Sequence, residues 1–262
     1  PYNIVDATPF RRDPLKELSE ACARHGVRFC VYYSQALDWH EFDAGGTDPG
    51  TGKNVCGMSW GNDWDFPDRA KKDFRRYLDA KVKPQLRELL TGYGPIGLIW
   101  FDCPFTITPA QSREIAGFVH SLQPECLVSG RIGHDAGDYG SLGDNQAPGA
   151  CLAGNWESLA TMNDTWGFKK NDHNWKSPAE LLTLLIENAS KGSNLLLNVG
   201  PTAEGLIPEA SVERLREMGR WLKMNGEALY GTAASPYPCD FEWGRITRGP
   251  ATLFLHLLRW PE

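Results

Sequence analysis

No stretch of this 262-residue chain approaches the roughly 18 consecutive apolar residues that a bilayer crossing needs, so no membrane span is read from it. It has no signal-peptide pattern and no initiator Met at residue 1. Its seven cysteines include no C-x-x-C pair, which argues against a structural zinc site. Their odd count and irregular spacing argue against a disulfide framework, so they read as small buried hydrophobes. Basic charge is not in excess: the formal charge is -6 with both signs interspersed, without the basic stripe of a nucleic-acid surface. There is no repeat of fixed period, no low-complexity tract and no ligand cluster that would demand a metal or other cofactor.

The composition, 41% hydrophobic and 23% charged, is that of a soluble globular protein. The length suits one large α/β domain or two small ones. Ten tryptophans are many for this length. Most would pack in a core, but some could serve as platforms for sugar rings.

Strand and helix alternate through most of the chain. Asp13 and Pro14 open a helix over 13–25, with Leu15, Leu18, Ala21 and Cys22 as its apolar stripe and Gly26 as its stop. A strand follows over 27–34. Residues 43–66, rich in Gly, Asp and Asn and carrying Trp60 and Trp64, read as a long loop. A long helix is expected over 67–92, then an apolar strand from Ile96 that ends in Asp102. A helix from Thr108 or Pro109 to Leu122 leads to a strand around 126–130. Residues 133–150 read as a second Gly-rich loop, and Ala150 to Glu157 as a short extended piece. Helices over 178–191 and 209–226 bracket a strand that begins at Ser193 and exits at Pro201. After Tyr230 the helical pattern gives way to short β-like runs.

This alternation is the signature of a parallel sheet or (β/α) barrel. Five or six strands are counted, short of eight. The expected organisation is a partial (β/α) barrel over 1–231 and the start of a β domain over 232–262. The non-Met beginning and an end within a strand read as a fragment cut at both ends. A barrel short of strands has open edges that could pair with something else, a second copy of the chain included.

Chemistry in such folds sits at the C-terminal ends of the strands. Asp102, closing the run Gly97-Leu98-Ile99-Trp100-Phe101, is placed to act there, although a polar residue after a strand is often only a helix cap. A second carboxylate, Glu157, follows Trp156, and Arg131 also follows a strand. Two carboxylates on different strand ends suggest glycoside hydrolysis: one attacks the anomeric carbon and the other shuttles the proton, with the pair roughly 5–6 Å apart. A cation keeps the first ionised, and packing against Trp156 or Trp166 would keep the second protonated. Tyr32 or Tyr33, Trp100 and Arg131 would line the sugar pocket.

Five segments carry a likeness to a known family: Tyr32-Tyr33-Ser34 through Trp39; Tyr93-Gly94-Pro95-Ile96 through Asp102; Trp156-Glu157 with Asn163 through Phe168; Lys191 through Pro201; and Gly219 through Gly231. In these the chain resembles the α-L-fucosidases of glycoside hydrolase family 29. The resemblance implies a retaining hydrolase on an irregular (β/α)8-like TIM barrel with a C-terminal β-sandwich, acting on fucosylated glycans without a cofactor. By motif match it implies Asp102 as nucleophile, Glu157 as acid/base, and Tyr32, Trp100 and Arg131 as substrate-binding residues. The family's His-His-Asp-Gly-Phe motif has no counterpart among His25, His40, His120, His134, His173 and His256. The chain would then hold both carboxylates and half of the fucose pocket. That departure keeps two other readings open: a non-catalytic carbohydrate-binding paralogue, and a hydrolase for another 6-deoxy or galacto-configured sugar.

Overall fold

The computed structural model describes residues 3–45, 61–104, 106–237 and 240–260. Trp60, Cys56, Cys239 and most of the first Gly-rich loop lie outside the described residues. The chain divides into two compact units, Pro1–Asp138 and Tyr139–Glu262.

The first unit contains helices α1 (Ile4–Ala7) and α2 (Pro14–His25), strand β1 (Cys30–Ser34), helices α3 (Phe74–Tyr77) and α4 (Lys83–Gly92), strand β2 (Leu98–Asp102), helix α5 (Pro109–Leu122) and strand β3 (Leu127–Val128). The second contains strands β4 (Gly140–Asp144) and β5 (Trp156–Thr161), helix α6 (Pro178–Ser190), strand β6 (Ser193–Asn198), helix α7 (Glu209–Asn225) and strands β7 (Gly244–Arg248) and β8 (Leu253–Leu257).

Local chemistry sets many of these bounds. Asp13 caps α2 through the Lys16 amide, and Gly26 ends it in the left-handed region. Thr108 and Gln111 form a capping box on α5, as Ser177 and Glu180 do on α6. The helix expected over 67–92 starts only at Phe74, where the Asp73 side chain caps the Arg76 amide. It then passes through a π turn over Leu78–Val82 before α4. Pro84 has no N–H to donate within an α-helical ladder, which accounts for a break there. The apolar stripe of α2 is not buried: Leu15 and Leu18 are both exposed.

In the first unit β1, β2 and β3 form a parallel sheet in that order, with Tyr32 beside Trp100 and Ser34 beside Asp102. Burial of β2 alternates instead of covering both faces. Ile99 and Phe101 are fully buried against Leu78, Leu86, Ile115 and Val119. Each such side chain contributes about 1.5–3 kcal/mol of apolar burial. Leu98, Trp100 and Asp102 occupy the other face.

In the second unit β4, β5 and β6 form another parallel sheet. Strand β4 lies inside the segment read from sequence as a loop. Its two glycines disfavour a strand, but Gly140 is required there: a Cβ would lie 2.5 Å from the Trp156 ring. Pairing with β5 overrides weak propensity. Met162, Leu181 and Met218 centre a separate core. Strands β7 and β8 form an antiparallel pair. Among the described residues, no helix is long and apolar enough to cross a membrane.

Candidate active site

Strand β2 stops abruptly at Asp102. Cys103 follows at φ 54, a left-handed conformation uncommon for a non-glycine residue. Pro104 then offers no N–H to extend the ladder. Asp102 is therefore the last strand residue, at the C-terminal edge of its sheet.

Three neighbours converge on it. The Tyr32 hydroxyl donates to Asp102 Oδ2 at 2.8 Å. Arg131 Nη1 donates to Asp102 Oδ1 at 3.4 Å. Trp100 stacks on Tyr32 with ring centroids 5.6 Å apart and planes 19° apart. The Arg131 guanidinium lies 5.2 Å over the Trp100 ring, within cation–π range. Burial, and then the negative charge of Asp102, pushes the Tyr32 hydroxyl far above the usual phenol range, so it remains a donor at neutral pH. Tyr33, the other candidate for that position, turns to the opposite face and donates to Gln85 Oε1 at 2.7 Å.

Sequence reasoning missed Gln35, which is fully buried just past β1. Its backbone N–H donates to the Asp102 carbonyl at 3.1 Å. Its side-chain Nε2 donates to the carbonyls of Arg131 (3.3 Å) and Ile132 (3.0 Å). One residue thus ties the β2 terminus to the turn that carries Arg131. Ser129 adds a second tie, its amide donating to the Ile99 carbonyl and its hydroxyl to the Phe101 carbonyl.

Cys103 is buried, and its thiol is pushed up to about 11 by burial and then by the charge of Asp102. A thiol so protonated is a poor nucleophile at neutral pH. His40 is exposed, and the His134 ring bonds the Ile107 carbonyl at 2.9 Å. Among the described residues, no three His, Cys, Asp or Glu side chains gather as a metal site.

Glu157 belongs to the second unit, and the structure corrects its expected position. It is the second residue of β5, so it stands near the N-terminal edge of its sheet and not at a strand exit. It is 7% exposed. Ser141 Oγ donates to its Oε1 at 2.9 Å and Tyr139 Oη to its Oε2 at 3.2 Å. Strand alternation turns Trp156 to the face opposite Glu157. Two hydroxyls are among its partners.

A different carboxylate, Asp144, ends β4 and is exposed. The register slips on the way to it: Ser141 pairs with Glu157 and Asp144 with Leu159, so three steps on β4 (144 − 141) match two on β5 (159 − 157). Asn145 follows at φ 54, and its Oδ1 accepts from the Thr161 amide at 2.9 Å and the Thr161 hydroxyl at 3.1 Å.

A family model described as Alpha-L-fucosidase matches residues 1–227. The chain is 32% identical over 247 residues to plasma alpha-L-fucosidase of Homo sapiens, covering 88% of this chain and 47% of that one. It is 29% identical over 282 residues to tissue alpha-L-fucosidase of Mus musculus, covering 100% of this chain and 56% of that one. The chain thus spans about half the length of these curated relatives. Among solved structures, it is similar to an alpha-L-fucosidase from Vibrio sp. strain EJY3, with a TM-score of 0.88 and 35% identity over 100% of this chain and 45% of that one. It is also similar to the alpha-L-fucosidase AlfC from Lactobacillus casei in complex with alpha-L-fucose product, with a TM-score of 0.75 and 40% identity over 86% of this chain and 69% of that one.

Proposed function

The chain belongs to the alpha-L-fucosidase family, matched across residues 1–227, and on that footing we propose that it is the catalytic part of a retaining glycoside hydrolase that releases α-L-fucose from fucosylated glycans. Asp102 is the nucleophile. Its carboxylate attacks the anomeric carbon, the glycosidic oxygen departs with a proton from a second carboxyl group, and a β-fucosyl ester forms. Water then attacks the same carbon, giving up its proton to that second group, and the Asp102–carbon bond breaks. Two inversions leave the configuration retained.

The observation that carries this reading is the setting of Asp102: last residue of a parallel strand, held by Tyr32 Oη at 2.8 Å and Arg131 Nη1 at 3.4 Å beside the Trp100 ring. The two donors fix the attacking oxygens without neutralising them by proton transfer. Trp100 and Tyr32 offer an aromatic wall against which the apolar face of a deoxy sugar would pack. The second carboxyl group is sought in the sheet β4-β5-β6. Glu157, which the family motif indicates, and Asp144 compete for that role. The (β/α) barrel over 1–231 and the start of a β-sandwich over 232–262 are part of the same proposal. They are supported by the two parallel sheets and by the antiparallel β7–β8 pair that follows them. The non-catalytic paralogue is not favoured, because a purely binding site has no need of a carboxylate clamped in this way.

The test uses the intact gene product and 4-nitrophenyl α-L-fucoside, with proton NMR following the first-formed sugar. Release of α-L-fucose before mutarotation supports the proposal. First appearance of the β anomer, or no release while an α-galactoside or other 6-deoxy glycoside is cleaved, would overturn it.

A further inference from the structure

Strands β5 and β6 leave their sheet at Thr161 and Asn198. The edge where strands end is where (β/α) barrels place their sites. The chain just past β5 contains Asn163 through Phe168, part of the family likeness, and the double displacement gives that segment no task. Its conformation is closely fixed. Asp172 is 7% exposed and accepts from the Asp164 amide at 3.0 Å, the Thr165 hydroxyl at 2.8 Å and the Asn174 amide at 3.3 Å. Asn174 Nδ2 donates to Asp164 Oδ1 at 2.9 Å. Asn198 Nδ2 donates to the Trp166 carbonyl at 2.6 Å. Gly200 lets the loop close on the β6 exit, since a Cβ there would lie 2.8 Å from the Phe168 nitrogen. A buried carboxylate is costly unless donors meet it. Here the donors fix a loop whose Phe168 ring is nonetheless half exposed.

Between this loop and the start of α7 lies a cavity of about 260 Å³. That is just under the roughly 300–1,000 Å³ of pockets for drug-sized ligands, and suits a single ring. Phe168 gives it an aromatic wall, and Asn163, Asn198 and Ser211 give it polar lining. Ser211 is 1% exposed, yet its hydroxyl has no hydrogen-bond partner among the described residues. A buried hydroxyl left unpaired is a cost that a bound polar group would relieve. Ser211 is the third residue of α7, and Pro208 before that helix makes no side-chain cap. The Glu209 and Ala210 amides therefore remain as donors beside the same cavity. An aromatic wall beside several hydrogen-bonding groups matches a ring with C–H groups on its face and hydroxyls on its edge. Charge does not select an anion here: Lys169 and Lys170 in the lining are matched by Asp172 and Glu209.

We infer that this cavity is a saccharide-binding site. It takes one neutral pyranose ring, stacked on Phe168 and hydrogen-bonded by Ser211, Asn163 and the first amides of α7. Resting on the fucosidase reading above, that ring is a sugar of the glycan other than the fucose that Asp102 attacks. No covalent bond is made or broken there. Asp172 is a positioning residue: it holds the loop in its binding shape beforehand, so little ordering cost falls on the encounter.

The experiment titrates N-acetyllactosamine, a neutral disaccharide without fucose, into the intact gene product, followed by calorimetry and saturation-transfer NMR. Wild type should bind it. Phe168→Ala should weaken binding about threefold to tenfold through loss of the stack. Ser211→Ala should weaken it about twofold to tenfold through loss of one hydrogen bond. Circular dichroism melts confirm that both variants fold. Turnover of 4-nitrophenyl α-L-fucoside, which has no second sugar, should stay at the wild-type level in both. Wild-type affinity for the disaccharide in either variant overturns the site, as does a wild-type protein that does not bind it. Displacement of the disaccharide by inorganic sulfate would reveal an anion site and overturns the neutral-ring assignment. A protein that binds as expected but cleaves no fucoside keeps the site and overturns the underlying fucosidase reading instead.

Discussion

Gln35 offers a severe test of how the nucleophile's surroundings are held. The side chain is fully buried and donates through Nε2 to the carbonyls of Arg131 and Ile132. Two such bonds are worth about 1–3 kcal/mol together. Ile132 keeps a second donor in Ser112 Oγ at 3.1 Å, which softens part of that loss. Gln35→Ala also opens a cavity in packed interior, and core truncations of this size cost about 2 kcal/mol or more. The sum is about 3–5 kcal/mol. At about 2–4 °C per kcal/mol for a chain of this size, the melting point should fall by about 6–20 °C. Gln35→Met separates packing from positioning. It fills the space, loses both donors, and also removes Oε1, which has no hydrogen-bond partner among the described residues. Its stability should stay within about 2 kcal/mol of wild type. Its kcat/KM on an aryl fucoside should still fall about tenfold to a hundredfold, because Arg131 is no longer anchored and small misplacements at a reacting centre are costly. Calorimetry and steady-state kinetics on the same preparations decide the matter. A Gln35→Ala protein that melts within 1–2 °C of wild type, or a Gln35→Met protein with wild-type kcat/KM, would refute the reasoning.

Trp100→Ala removes both the Tyr32 stack and the Arg131 cation–π contact. Together these are worth about 1–2.5 kcal/mol, so the melting point by calorimetry should fall by about 2–10 °C, with Trp100→Phe in between. Cys103, its thiol pushed up to about 11 against an ordinary 9.0, should alkylate with iodoacetamide at pH 8 about a hundredfold more slowly than an unperturbed thiol; rapid labelling of Cys103 in peptide maps contradicts that. Burial lowers the His256 pKa below its usual value. The unfolded chain therefore binds the extra proton, and the stability this group contributes is full above about pH 6.5 and declines as pH falls below it. His256→Gln should flatten the melting-point profile between about pH 5 and 7, and an unchanged slope would exclude the His256 contribution. The neutral ring is held by Thr247 Oγ1 at 2.9 Å.

Elements governed by local chemistry were legible in the sequence. Asp13 and Thr108 announced two helix starts, and the apolar run to Asp102 announced its strand and the carboxylate at its end. Elements set by tertiary pairing were not. Strand β4 reads as a loop because Gly140 and Gly143 are poor strand formers, and only the Trp156 ring lying against Gly140 explains the glycine. Missing β4 also hid Asp144, the residue that ends it. The start of β5 was blurred for a related reason: Trp156-Glu157 lies between a Gly-rich segment and a buried run, and nothing local says which side the strand takes. Gln35 carries no motif, since its role depends on carbonyls almost a hundred residues away. Tyr32 and Tyr33 could not be told apart until the register placed Tyr32 beside Trp100.

The most direct measurement is covalent trapping in the intact gene product. A 2-deoxy-2-fluoro fucoside with a good leaving group slows breakdown of the ester more than its formation. Mass spectrometry of the peptides then locates the sugar. Label on Asp102, absent from Asp102→Asn, is the predicted result; label on any other side chain, or turnover with no trapped ester and inversion at the anomeric carbon, would contradict the mechanism.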